Sequence, residues 1–338
     1  MLKQAMVYPA SHTQQQLMNR HALNILDTAR KVAGRIGFGR QAFYSKYKYI
    51  DLKGEEAAAL IREKLMAPEP VMIARFGTSE LHAVLNAMSL HKKGPGKYLQ
   101  FITGTNPYLD WDPGVLTGIF VNAGFFPADT KLLDRYAALM IESMHQADVL
   151  GSWIAEEAFF KEHLLRAKKV DLPDLEPFFS KDPWTVALTG KKVLVIHPFE
   201  ESIRMQYANK RHLFSDPRIL PDFHLKTLKA VQSSASTKTE FANWFEALGY
   251  MQDKIKSIDF DVAIIGCGAY GFPLAAFVKR LGKKAVHIGG SVQVLFGIKG
   301  RRWEEHPRIP SLFNQYWIRP QASETPANYT TVENGCYW

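Results

Sequence analysis

The sequence predicts an α/β fold: a mostly parallel β-sheet with helices on both faces, an N-terminal helical extension and an irregular C-terminal tail. Three observations carry this. Short runs rich in Val and Ile end in glycine or turn residues, as strands buried on both faces do. Stretches of helical period separate them, which is the alternation expected of crossover connections. After Trp303 the chain becomes rich in Pro and aromatic residues and loses both periods.

Taken in order, Leu17, Met18, Ala22, Ile25, Leu26, Ala29, Val32, Ala33 and Ile36 recur near helical spacing between Gln14 and Ile36. Arg20, Arg30, Lys31 and Arg35 fall on the polar side. A basic amphipathic helix of this kind packs on a domain body or a second subunit, or lies on an anionic membrane surface. From Pro70 the strands expected are Val71–Ala74, Asp148–Trp153 with its exit turn, Lys192–Ile196, Lys229–Gln232, Phe260–Ile265 and Ala285–Ile288. The helices expected between them are Ser79–Ser89, Lys131–Gln146, Ser202–Asn209, Glu240–Ile255, Tyr270–Leu281 and the short Ser291–Phe296. The chain then divides into a basic helical extension (1–66), an α/β body (67–303) and a tail (304–338).

The 338 residues carry a formal net charge of +9, distributed unevenly. Residues 1–53 sum to +7, and Val262–Trp303 holds seven Lys/Arg with no Asp or Glu, leaving −5 for the rest. A nucleic-acid binder would gather its charge into one patch or stripe. Two local fields instead point to two anionic partners, neither of them nucleic acid. Cys267 and Cys336 are too few for a disulfide framework. The N-terminal residues lack the apolar run of a signal peptide. The longest uncharged stretch, Val262–Val278, is too short to span a bilayer and is broken by glycines and Pro273. A cytoplasmic protein is expected.

Several strand ends carry chemistry. Gly266-Cys267-Gly268-Ala269-Tyr270-Gly271 follows a strand and opens a helix, a geometry that suits phosphate. A dinucleotide site would add an acid about 20 residues on, and none occurs before Glu304. A second glycine corner follows at Gly289-Gly290-Ser291-Val292-Gln293. Lys299, Arg301 and Arg302 add charge beside Trp303, which could stack on a base. Arg75-Phe76-Gly77-Thr78-Ser79-Glu80 occupies another strand-to-helix junction, with Thr78 or Ser79 as helix cap and Glu80 in the first turn. His197 ends the Lys192–Ile196 run, and Glu200 or Glu201 could act as a general base or complement the helix dipole. Asp110-Trp111-Asp112 has the spacing of a divalent-cation pair but precedes Pro113-Gly114 and reads better as a turn.

Together these segments resemble bacterial glycosyltransferases and related proteins of the GT-D fold, a Rossmann-like architecture linked to surface-polysaccharide assembly. In that family one motif reads Arg-Phe-Gly-Asp-Gly-Glu, and its Asp-x-Glu pair is taken to hold a metal and the sugar nucleotide. Arg75, Phe76, Gly77 and Glu80 match it, while Thr78 and Ser79 stand where the family has Asp and Gly. The second motif, a glycine corner, a helix and a strand ending in Ile-Gly, is matched by Gly268–Leu281 and Ala285–Gly289. A branch of the family with Thr-Ser in the first motif is similar from Val71 to the end, notably in Val195–Phe199, Gly266–Gly271, Gln293–Trp303 and Gly335–Trp338.

The resemblance implies transfer of a sugar from a nucleotide-diphosphate sugar to a saccharide or lipid-linked acceptor. Glu80, then Glu200, would take the acceptor proton, and Arg75 would position Glu80 or contact the donor. Gly77, Thr78, Ser79, His197, Gly266, Gly268, Tyr270, Gly289, Gly290, Gln293, Arg301 and Trp303 would line the substrate site. Arg301 would stabilise the departing diphosphate. Mn²⁺ or Mg²⁺ at Glu80 is the cofactor implied, put in doubt by Thr78, and residues 14–53 would meet an anionic membrane surface. The competing classes are a non-catalytic nucleotide-sugar-binding scaffold and a dinucleotide-binding oxidoreductase.

Overall fold

The computed structural model describes residues 20–35 and 49–338. Its strands are β1 (Val71–Ala74), β2 (Val149–Ser152), β3 (Lys168–Asp171), β4 (Lys192–His197), β5 (His224–Lys229), β6 (Val262–Ile265) and β7 (Lys284–His287). They form one sheet in the order β3-β2-β1-β7-β6-β4-β5, with every neighbouring pair parallel. The expected fold class is the one observed.

Side chains alternate across the sheet, so a strand covered on both faces must be apolar throughout. Met72, Ala74, Leu194, Ile196, Ala263 and Ile265 enter one core, beneath the helices Thr78–Leu90, Thr130–Met144, Trp244–Lys256 and Gly271–Arg280. Val71, Ile73, Val193, Val195, Val262 and Ile264 enter the other, beneath Gly54–Met66, Glu200–Ala208, Ser291–Leu295 and the tail. Helix starts follow their caps. Asn243 accepts from the amides of Phe245 at 3.0 Å and Glu246 at 3.1 Å, so that helix begins at Trp244, not Glu240.

Two strands depart from the sequence expectation, and both are edges. β5 lies at His224–Lys229, not Lys229–Gln232. Its exposed and half-exposed residues give no apolar run. β3 was not anticipated because Val170 is its only buried residue. The boundary expected at residue 67 also falls inside the body. Helix Gly54–Met66 buries Ala57, Ile61 and Leu65 in the second core, and Leu52 bridges Val170. Of the basic segment, residues 14–19 and 36–48 lie outside the described residues. The helix Arg20–Arg35 rests on the body through Arg30, which donates to the Pro107 carbonyl at 3.0 Å and lies 4.7 Å over the Phe101 ring. Among the described residues no helix is long and apolar enough to cross a membrane.

The tail is built into the fold. Trp317, Val332 and Trp338 are buried in the second core. Trp317 donates to the Leu213 carbonyl at 2.9 Å and Trp338 to the Glu324 carbonyl at 3.1 Å. Buried Glu324 caps the helix Glu200–Ala208, accepting from the Glu201 amide at 2.7 Å and from the Ser202 amide and hydroxyl.

The chain leaves β1 and β6 towards the first core and β7 and β4 towards the second. Connections that part to opposite faces open a crevice at the carboxyl ends of the strands. Here the parting recurs at every junction across β1-β7-β6-β4 and produces a continuous cleft.

Glu324→Ala would strip the cap from Glu200–Ala208 and loosen the tail. We expect a loss of about 1–3 kcal/mol, seen as a lower urea midpoint with an unchanged slope. An unchanged midpoint would show that the tail bond carries no stability.

Candidate active site

Arg75 follows β1 directly and lies with its guanidinium 4.9 Å over the Trp153 ring. Trp153 is held in turn by its indole N–H, which donates to the Phe76 carbonyl at 3.0 Å. Phe76 is buried and stacks on Phe272 at 4.3 Å, anchoring the junction. Gly77, not Thr78 or Ser79, is the helix N-cap. Glu80 folds back over it so closely that a Cβ at position 77 would lie 1.8 Å from Glu80 Oε2. Thr78 is exposed at the cleft, and Ser79 packs against Gly118. Burial raises the Glu80 carboxyl above the usual carboxylate range, opposed by its backbone hydrogen bond and the nearby Arg75 and Arg302.

Arg302 reaches the same pocket. It pairs with Glu333, donates to the Tyr337 hydroxyl at 3.0 Å and lies 4.7 Å over that ring. Opposite stands Glu176, which accepts from the Ser291 hydroxyl at 2.6 Å and is likewise raised by burial. Gly289, at φ +59°, lets the Arg75 guanidinium pass within 3.3 Å of where a Cβ would sit.

The neighbouring pocket lies over β6 and β4 and is mainly neutral, with Phe199, Tyr270, Tyr337 and Trp338 among its walls. Both pockets are lined by Asn122, Ala123, Gly268, Gly290 and Tyr337, so they adjoin. Buried His197 accepts from the Phe199 amide at Nδ1, 3.0 Å away, which places its proton on Nε2. Burial lowers its pKa to about 3, so it is a neutral donor. His287 donates from Nδ1 to the Ile265 carbonyl at 3.0 Å and is lowered to about 3, mainly by burial. Tyr270 stacks on Trp244 at 4.9 Å and meets Ser233 at 3.1 Å. Burial pushes the Cys267 thiol far up, which leaves it protonated and not a nucleophile.

The glycines of the first corner are explained by close approach. A Cβ at Gly266 would lie 2.4 Å from the Gly289 carbonyl oxygen, one at Gly268 2.8 Å from that of Ala123, and one at Gly271 2.1 Å from His287 Cε1. The amides of Gly266 and Ala269 are bonded to the carbonyls of Ile196 and Ala123, so only part of the expected phosphate nest is open.

Of the other expected residues, Gln293 and Trp303 line the two pockets as buried walls, whereas Arg301 and Glu200 lie elsewhere. Arg301 is exposed outside the cleft, bonded to the Asn334 carbonyl at 3.1 Å and paired with Glu305 at 3.1 Å. Arg302 holds the cleft position instead, one residue on in the same short helix. Glu200 turns to the β5 edge, accepting from Thr227 at 2.7 Å and facing Arg204 at 3.7 Å. Gln293 is fully buried between the Tyr337 carbonyl, 2.8 Å away, and the Trp303 indole N–H, 3.2 Å away. Trp303 is therefore a packed wall with little ring left for a base. Asp112 caps the helix Pro113–Thr117 at the Val115 amide, 3.0 Å away, as the turn reading requires. Glu176, Arg302 and Tyr337 were missed as site residues. Arg302 is signalled only as one of the basic residues beside Trp303, with nothing local to separate it from Arg301, and Glu176 by nothing local.

The donor set does not fit a resident cation. Glu80 faces two guanidinium groups, the other carboxylates of the cleft are engaged, Glu176 by Ser291 and Glu333 by Arg302, and the described residues contain no cluster of three His, Cys, Asp or Glu. Comparisons with protein-family models, curated proteins and solved structures found no match.

Gly266→Ala would drive its methyl into the Gly289 carbonyl, which cannot yield without moving β7's exit. We expect a loss of about 1–3 kcal/mol, of the size seen for overpacking, measured by denaturant unfolding. Wild-type stability would mean that the two corners are not in contact.

Proposed function

We propose that the protein is a GT-D-type glycosyltransferase that moves a sugar from a nucleotide-diphosphate sugar to a saccharide or lipid-linked acceptor in polysaccharide biosynthesis. One observation carries this reading. A partly buried carboxyl with a raised pKa, Glu80, stands with Arg75 and Arg302 at strand ends, beside a neutral aromatic pocket.

In this reading the nucleoside occupies the neutral pocket, where His197 Nε2–H donates to it. The diphosphate lies along the shared wall at Gly268 and Gly290. Glu80 takes the proton of the acceptor hydroxyl as its oxygen bonds to the anomeric carbon. The bond from that carbon to the diphosphate breaks, and the leaving oxygen keeps the electron pair. Arg75 and Arg302 offset the charge that develops there. No step is assigned to a metal. Ile25 and Val32, 69% and 51% exposed on the outer side of Arg20–Arg35, support contact with the inner face of a membrane from the cytoplasm. Thr78 at the family's Asp position favours a second reading, a scaffold that binds nucleotide sugar without turnover. Product formation separates the two.

A thermal-shift panel of nucleoside diphosphates and their sugars is expected to raise Tm for one base, and no shift across the panel would remove both readings. Glu80→Gln should lower kcat about 10²–10⁴-fold with donor binding retained. Arg302→Ala should lower kcat about 10²-fold, whereas Arg301→Ala should stay near wild type. The reverse pattern would move the diphosphate to the outer surface.

The pH dependence follows from Glu80. Only its ionised form accepts a proton, so kcat/KM should fall with decreasing pH along a limb above the usual carboxylate range, absent in Glu80→Gln. Stability runs the other way. A folded pKa above the unfolded one contributes stability at low pH that is lost as pH rises through the folded pKa. Glu80→Gln should therefore unfold at a higher temperature than wild type at pH 8, and a lower Tm would contradict the burial.

A further inference from the structure

We propose that the groove between the helix Arg20–Arg35 and residues 107–118 is the acceptor site, and that it takes a neutral saccharide. This deepens the transferase reading and rests on it. Thr78, Ser79 and Asn122 line both this groove and the pocket that holds Glu80. A chain lying in the groove therefore brings its end to that carboxyl, close to Asn122, which also lines the nucleoside pocket.

The groove wall is a rigid loop. Buried Asn86 donates to the Asp110 carbonyl at 3.0 Å and accepts from the Asp112 amide at 2.9 Å. Each aspartate has Oδ1 fixed by a backbone amide, Asp110 by Trp111 at 2.8 Å and Asp112 by Val115 at 3.0 Å. Among the described residues neither Oδ2 has a hydrogen bond and neither carboxylate has an ion pair. Between and beside them stand the half-buried rings of Trp111 and Tyr108. A pyranose has an apolar C–H face and a rim of hydroxyl donors. Rings and oriented acceptors answer those two needs, as in other concave sites with few placed polar groups. Asp27, Asp110 and Asp112 against Arg30 and Lys31 leave the groove without the positive field that a polyanion requires.

The test is glycan-array binding of the full chain, with nucleoside-diphosphate binding measured by calorimetry on the same samples. Wild type should bind glycans. Trp111→Ala and the near-isosteric Asp110→Asn should each weaken that binding, and raise acceptor KM, at least about tenfold, with nucleotide affinity unchanged. Wild type that binds nucleotide but no glycan, or variants with unchanged glycan binding, would overturn the groove and leave the transferase reading standing. Glycan binding that depends on Trp111 without any nucleotide binding would keep the saccharide site and remove the transferase. Loss of both ligands' binding in wild type overturns both.

Discussion

The carboxyl end of the sheet depends on one backbone approach, the Gly266 α-carbon against the Gly289 carbonyl. Sheet spacing brings the exits of β6 and β7 together, and any side chain at position 266 would force them apart. With that contact made, His197 lies against Gly266, His287 lies against Gly271, and Arg75 passes over Gly289. Each of these side chains needs a missing Cβ to reach its place. The cleft is thus shaped by absences in the sequence, and its charged members are positioned by backbone.

The tail completes the same region from outside. Gln293 has one amide end on the Tyr337 carbonyl and the other on Trp303, while Glu324 caps Glu200–Ala208. A buried polar group must find partners, and these two find them in segments distant in the chain. Tyr337 then lines both pockets and receives Arg302. The residues after Trp303 belong to the cleft as much as those of β1 do, although they have neither helical nor strand period.

Central strands were legible because burial on both faces demands unbroken apolar residues. β1, β4, β6 and β7 are found within two residues of the runs that announce them. Edge strands β3 and β5 were not, since half of each faces solvent and Lys168-Lys169-Val170-Asp171 reads as a loop. The same distinction holds at the site. Arg75, Gly77 and Glu80 sit on consecutive turns of one junction, where local spacing fixes position. Glu200 shares such a junction, yet Glu324 caps that helix end and Glu200 turns to Thr227. Arg301 and Arg302 differ only in helix phase, which a helix as short as Arg301–Glu304 does not reveal. Glu176 comes from a 3₁₀-rich connection with no period at all.

Charge shows most clearly what linear reading leaves out. Val262–Trp303 has seven cations and no acid in sequence, and in space most of them meet an acid or a carbonyl from elsewhere. Lys279 pairs with Asp148 at 2.7 Å, Arg280 with Glu142 at 3.6 Å, and Arg301 with Glu305 at 3.1 Å. Lys284 donates to the carbonyls of Ala67 and Glu69. Arg302 alone of the seven enters the cleft, and it brings Glu333 with it. A diphosphate would then be met by two guanidinium groups, Arg75 and Arg302, and not by a broad basic surface. Such a site is selective through geometry, because the long-range field over the cleft is nearly cancelled before the ligand arrives. In the proposed reaction Arg302 would exchange Glu333 for the ligand's phosphate oxygens, which would make that charge available. Because the pair is partly exposed, 36% at Arg302 and 49% at Glu333, Glu333 can yield to a phosphate and turn to solvent without being left as a buried unpaired charge.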